Sequence, residues 1–208
     1  MVIPLLPPLV LASASPRRQE LLQGLGLAFE VHPADLSEEP LAGEDAASLV
    51  RRLALAKATW CSQNHPRSLI LAADTVVWSQ TPGGEELLGK PSTPAAARSM
   101  LQRLSGHQHQ VLTGMALVAP EGITAQRLAR TQVTFRPLSD TLIEWYLSTG
   151  EPYDKAGAYG VQGCAALFVS ELQGSWTNVV GLPLDLLEPL FHDVGQELTR
   201  FLVAGRGC

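Results

Sequence analysis

The stretch SLILAADTVVW, Ser68 to Trp78, limits the fold of this chain more than any other. Its Leu, Ile, Ala and Val residues follow one another without a helical period, and the run reads as a buried strand. Asp74 interrupts it. A carboxylate inside so apolar a strand must be paired or metal-bound, or it would be strongly destabilising. The alternative is that the strand ends at Ala73 and Asp74 caps it in solvent.

The segments around this strand set the fold class. Leu9 to Ala12 reads as a second buried strand, and Pro16 suits the first position of a helix running to about Gln23, with Gly24 and Gly26 able to stop it. LAFEV reads as a short strand and VHPADLSEEP as a loop. From Asp45 to about Gln63 the pattern is helical, with Leu49, Val50, Leu53, Ala54 and Lys57 on one stripe. TPGGE reads as a hairpin turn, and Thr93 to Leu104 as a helix. HQVLTGMALVAP and RLARTQVTF are strands that can pair around EGIT. Ser139 or Asp140 caps a helix through Leu147. GEPYDKAGAYGVQG is too rich in glycine to read as regular. AALFVSELQGSWTNVV reads as a hairpin turning at Gln173-Gly174, and the tail from Leu184 to about Leu202 as mostly helical despite Pro189. Early alternation of strands and helices with later hairpins predicts a mixed α/β protein around a long twisted sheet. No linker divides the chain, so residues 1–208 are expected to form a single domain.

With 208 residues, 46% of them hydrophobic, there is material for one sizeable core, or for a domain with a smaller lobe. A formal charge of −5 argues against a nucleic acid polymer as partner, so any polyanion must be held by a local cluster. Three cysteines, Cys61, Cys164 and Cys208, form no CxxC and suggest neither a disulfide framework nor a thiolate zinc site. The opening MVIPLLPPLVLA has prolines and no basic leader, which argues against a signal peptide, and no apolar run is long enough to predict a membrane span. A cytoplasmic protein is expected.

Several charged residues stand where stability alone would not put them. Arg17 and Arg18 fall at a helix start, the end of a helix dipole that prefers anions. Together with Ser13, Ser15 and the exposed backbone N–H groups of that turn they would make a strong phosphate site; the alternative is pairing with surface carboxylates such as Glu20. Lys57 lies on the apolar stripe of its helix, either as a functional cation or as a lysine snorkelling from its edge. Lys90, in LGKPSTP, and Lys155, in YDKAGAYG, occupy turn-like contexts that are ordinarily solvated. There is no G-x-x-x-x-G-K-[ST] loop, and the glycines at 157, 160 and 163 lack dinucleotide spacing. His107 and His109 have no partner set of metal-ligand spacing.

Taken together, LASASPRRQELL (11–22), LAADTVV (71–77), GKP (89–91), DKAGAYGVQG (154–163) and GSWTNVVGLPL (174–184) resemble the Maf family of nucleoside triphosphate pyrophosphatases, over roughly residues 9 to 190. The resemblance implies an elongated α/β architecture like that of inosine-triphosphate pyrophosphatases, with a mixed sheet flanked by helices and two lobes around a cleft. It implies a hydrolase using a divalent cation, Mg²⁺ or Mn²⁺, to cut dTTP and UTP between the α and β phosphates, and often a homodimer. It places the proton acceptor on Asp74, phosphate-binding arginines on Arg17 and Arg18, specificity positions on Arg17, Thr75 and Gln162, and basic cleft positions on Lys57, Lys90 and Lys155. Glu38, in DLSEEP, is the best match for the acidic residue that joins Asp74 at the metal, with Glu39 and Asp35 close by. Cys164 and a somewhat enlarged SQTPGGEELL hairpin depart from the family pattern.

These residues make chemical sense as a set. A triphosphate would give Arg17, Arg18 and the helix end their missing anion, and the carboxylates suit a hard cation. The Gln162 amide offers a donor and an acceptor to the edge that uracil and thymine share, whose single methyl difference is a weak discriminator, so modified pyrimidines stay open as substrates. The competing reading is a non-catalytic nucleotide-binding regulator of cell division. The enzyme reading requires side chains from residue 13 to residue 162 to meet in one pocket.

Overall fold

A computed structural model describes residues 6–81 and 84–203. Its strands are β1 (Leu9–Leu11), β2 (Glu30–Val31), β3 (Leu69–Thr81), β4 (Gly84–Leu88), β5 (Gln108–Val118), β6 (Thr124–Phe135) and β7 (Val169–Gln173). Its α-helices are α1 (Pro16–Gly24), α2 (Ala46–Asn64), α3 (Pro94–Leu104), α4 (Asp140–Ser148), α5 (Trp176–Val180) and α6 (Leu187–Asp193). The strands form a seven-stranded mixed sheet in the order β2-β1-β3-β5-β6-β7, with β4 beside β3. The fold class expected from the sequence is the one found. No helix among the described residues is long and apolar enough to cross a membrane. Pro82 and Gly83, the middle of the expected TPGGE turn, and Cys208 lie outside the described residues.

The chain divides into two compact units. The first comprises Met1–Asp74, Gly114–Leu128 and Gly181–Cys208. Here β1 runs parallel to β3, with Leu9 opposite Leu69 and Leu11 opposite Leu71, and parallel to β2. Successive strand residues face opposite ways. Leu9, Leu11, Leu69, Leu71 and Ala73 therefore join Leu22 of α1 and Leu187, Leu190 and Phe191 of α6 in one cluster. Val10, Ala12, Ile70 and Ala72 join Ala54, Ala58 and Cys61 of α2 in another. The parity of β3 thus assigns Asp74 to the α2 face. Gly114 of β5 lets α2 approach, because a Cβ there would overlap the Val50 carbonyl.

The second unit comprises Thr75–Thr113 and Ala129–Val180. β3 and β4 pair antiparallel, with Val77 opposite Leu88, and β6 and β7 pair antiparallel, with Val133 opposite Leu172. Its core gathers Leu101 and Leu104 of α3, Ile143 and Tyr146 of α4, and the rings of Phe135, Tyr159 and Phe168. Thr93 and Ser139 cap their helices through their side chains; of the two caps open for the second of these, Ser139 or Asp140, it is Ser139 that serves.

Three expectations need correction. The segment after Gly174 forms no second hairpin strand: Gly174 turns at φ 126 and α5 follows. Tertiary bonds outweigh the β preference of Val179 and Val180 there, since Asn178 is fully buried and donates from Nδ2 to the Val111 carbonyl (3.0 Å) and to Thr131 Oγ1 (2.9 Å). The tail is broken into short 3₁₀ turns at Leu184–Leu186 and Leu198–Phe201 around α6, with Gly195 left-handed. Pro189 is tolerated because it falls in the first turn of α6, where no N–H is needed. LAFEV contributes only Glu30 and Val31 to the sheet, since Leu27 bridges to Leu202 instead.

Candidate active site

In the first unit the sequence-derived residues gather around two points. At the end of β1, the Ser13 hydroxyl oxygen accepts from Arg18 Nη1 at 3.0 Å and from the Ser15 N–H at 3.3 Å. Arg18 Nε donates to the Gly181 carbonyl at 2.8 Å, so one guanidinium ties the start of α1 to the segment that precedes α6. Ser15 is the N-cap residue of α1, but its hydroxyl makes no bond to the helix, and no acidic residue occupies the first turn. Position, rather than a side-chain acceptor, defines this helix start, and Arg17 and Arg18 keep it positively charged. Burial pushes the Arg18 guanidinium below its usual range; Asp74 pulls it back up, Arg17 pushes it further down, and Glu38 raises it.

The second point is Lys57. Three residues after Ala54 and one before Ala58 on α2, it meets Asp74 on the same face of β3. Its ammonium stands 2.6 Å from Asp74 Oδ1 and 2.6 Å from Glu38 Oε1. Lys57 and Asp74 are buried, whereas Glu38 is exposed. Of the two readings open for each residue, a solvated Asp74 at a strand end and a snorkelling Lys57 are both excluded by this burial. Glu39 contributes its backbone carbonyl to Arg52 rather than its carboxylate to the cluster.

The second unit holds Thr75, Lys90, Lys155 and Gln162. The Thr75 hydroxyl pairs with that of Thr113 at 2.9 Å. Thr113 in turn donates to the Asn178 carbonyl at 3.3 Å. The GKP segment is tied to the glycine-rich loop by the Gly157 N–H, which donates to the Gly89 carbonyl at 3.0 Å, and Gly157 packs so closely on Val77 that a Cβ would lie 2.9 Å from its Cγ2. Lys90 is exposed. Lys155 Nζ donates to the Glu151 carbonyl at 2.7 Å and pairs with Asp154 at 2.6 Å. Gln162 is exposed in the turn that ends at Gly163.

Glu151, Tyr146, Thr113 and Asn178 surround these positions and carry no signal as isolated residues in the sequence. Glycines 160 and 163 were the available hint, since each makes room for a neighbour. Burial, the Glu151 charge and its hydrogen bond push the Tyr146 hydroxyl well above the phenol range. His109 lies in the core of this unit: Nε2 pairs with the Tyr159 hydroxyl at 2.8 Å, and burial pushes the ring down to about 3.

Two carboxylate side chains reaching one cationic point form a donor set of hard oxygens. Among the described residues no group of three or more His, Cys, Asp or Glu gathers as a metal cage. Asp74 and Glu38 are the residues that would hold a divalent ion, and their hard oxygens suit Mg²⁺.

Residues 8–194 match the family described as Maf-like protein. A dTTP/UTP pyrophosphatase of Symbiobacterium thermophilum is 48% identical over 194 residues, which cover 93% of each chain. Another from Myxococcus xanthus is 49% identical over 190 residues, 91% of this chain and 94% of the relative. Among solved structures, the Staphylococcus aureus Ham1 protein superposes with a TM-score of 0.45 at 14% identity, over 62% of this chain and 71% of its own.

Proposed function

The chain belongs to the Maf-like family, and from that premise we propose that it hydrolyses dTTP and UTP to the monophosphate and pyrophosphate. One observation carries the reading at the level of chemistry: Lys57 joins the buried Asp74 to Glu38 in the same unit as the arginines of α1. Three cations and two carboxylates on a protein of charge −5 make a local inversion of sign, which a polyphosphate needs.

In this proposal Ser13, Ser15, Arg17 and Arg18, with the N-terminal backbone of α1, take the phosphates. Asp74 accepts the proton of the attacking water, and Lys57 holds its carboxylate in place. Asp74 and Glu38 are the residues that would hold Mg²⁺ or Mn²⁺, which when bound neutralises phosphate charge and acidifies a water. In the second unit, the base edge is assigned to the Gln162 amide and the Thr75 hydroxyl, and positive charge to Lys90 and Lys155. Arg17 also serves as a specificity position.

Pyrophosphate release from a panel of nucleoside triphosphates, with and without Mg²⁺, tests the reading. The expected outcome is metal-dependent release matched by monophosphate, with dTTP and UTP both taken and CTP poor. A purine triphosphate as best substrate contradicts it, and tight binding without turnover would favour the non-catalytic regulator.

A further inference from the structure

Gln162 lies in a turn that is seated from outside itself. The Gly163 N–H donates to the Gly160 carbonyl at 3.1 Å, which puts Val161 and Gln162 at the two central positions of a β-turn. Val161 is buried and Gln162 exposed, so the turn has an inner and an outer side. Both of its ends rest on residues 151–155.

At the Gly163 end the seat is the Glu151 carboxylate. Its Oε2 accepts from the Cys164 N–H at 2.9 Å, and its Oε1 accepts from the hydroxyl of Tyr146, a fully buried side chain, at 3.0 Å. Bonds to an ionised acceptor are the stronger kind. Gly163 has φ −105 and ψ −149, a conformation that does not require glycine. A Cβ there would fall on the Glu151 carboxylate, which would have to move away to admit a side chain. At the Gly160 end the seat is the stem of Lys155: a Cβ on Gly160 would lie 2.6 Å from Lys155 Cε. The Lys155 ammonium returns to the Glu151 carbonyl at 2.7 Å, so the two seats are one assembly. Lys155 is in this way part of the turn's support.

We propose that Glu151 is a positioning residue for base selection: its carboxylate fixes the Gly160–Gly163 turn and with it the direction of the Gln162 amide. The proposal rests on the reading of Gln162 as the group that faces the base. An amide must point its oxygen and nitrogen at the right partners to separate uracil from cytosine, whose donor and acceptor are exchanged along this edge. A turn that drifts loses that choice before it loses the substrate. If Glu151 only satisfied Tyr146 inside the core, its loss would lower stability and slow all nucleotides alike.

The experiment compares kcat/KM for UTP and CTP in the wild type and in Glu151→Met, Glu151→Gln, Gly163→Ala and Gln162→Ala, with thermal unfolding of each. Glu151→Met leaves the Cys164 N–H without its acceptor, and the UTP-to-CTP ratio should fall about tenfold, as one misdirected hydrogen bond would cause. Glu151→Gln should stay within about threefold of wild type, because the amide oxygen takes the Cys164 N–H and the amide N–H turns to the Tyr146 oxygen. Gly163→Ala reaches the same turn by displacing the carboxylate and should also lower the ratio, which keeps the test decisive where Glu151→Met fails to fold. A ratio unchanged in Gln162→Ala overturns the reading of Gln162, and the proposal with it. A ratio lowered in Gln162→Ala but unchanged in every folded Glu151→Met or Gly163→Ala variant overturns the positioning role alone.

Discussion

The ammonium nitrogen of Lys57 stands 2.6 Å from Oδ1 of Asp74, with less than a tenth of either side chain exposed. Seventeen residues separate the two in sequence, and two periodicities bring them together. The 3.6-residue repeat of α2 sends Lys57 inward beside Ala54 and Ala58, and the two-residue repeat of β3 sends Asp74 to the same side.

Removing one partner of such a pair leaves an uncompensated buried charge. Lys57→Met is expected to lower the free energy of unfolding in urea by about 3 kcal/mol. The same variant brings a metal test, because Asp74 and Glu38 then face each other without the ammonium. Mg²⁺ should raise the melting temperature of Lys57→Met more than that of the wild type. An equal response would remove the two carboxylates from consideration as metal holders.

A pH dependence follows from His109, which burial holds at about 3 against an ordinary 6.5. Below the ordinary value the unfolded chain binds a proton that the folded ring refuses. Stability is therefore untouched above about pH 6.5 and falls as pH drops toward about 3, by up to about 1.4 kcal/mol per pH unit. His109→Gln keeps a partner for Tyr159 and does not titrate. Chemical unfolding of both proteins at pH 7 and pH 5 should show the wild type losing about 2 kcal/mol relative to the variant over that interval. Parallel losses would contradict the assignment.

Much of the cluster in the first unit was legible in the sequence because its signals are local conflicts. Asp74 breaks an apolar strand, Lys57 sits on an apolar stripe, and Arg17 and Arg18 oppose a helix dipole, so each stands out against a simple expectation. Glu38 was different: a loop with three acidic residues offers no periodicity, and only the family resemblance selected it. The α5 segment was misread because Val179 and Val180 favour strands locally, whereas the bonds that decide it, from Asn178 to Val111 and Thr131, span more than forty residues. Glu151 was invisible for a related reason. Its contacts depend on Gly163 leaving room and on Tyr146 arriving from α4, and only the glycines hinted at them.

Turnover of Asp74→Asn tests the account most directly. The substitution keeps the shape of the side chain and an oxygen for Lys57 but removes the carboxylate that the proposal makes the proton acceptor. Pyrophosphate release from UTP should fall by at least about a hundredfold while nucleotide binding, followed by calorimetry, persists. Near-normal turnover in this variant would contradict the account.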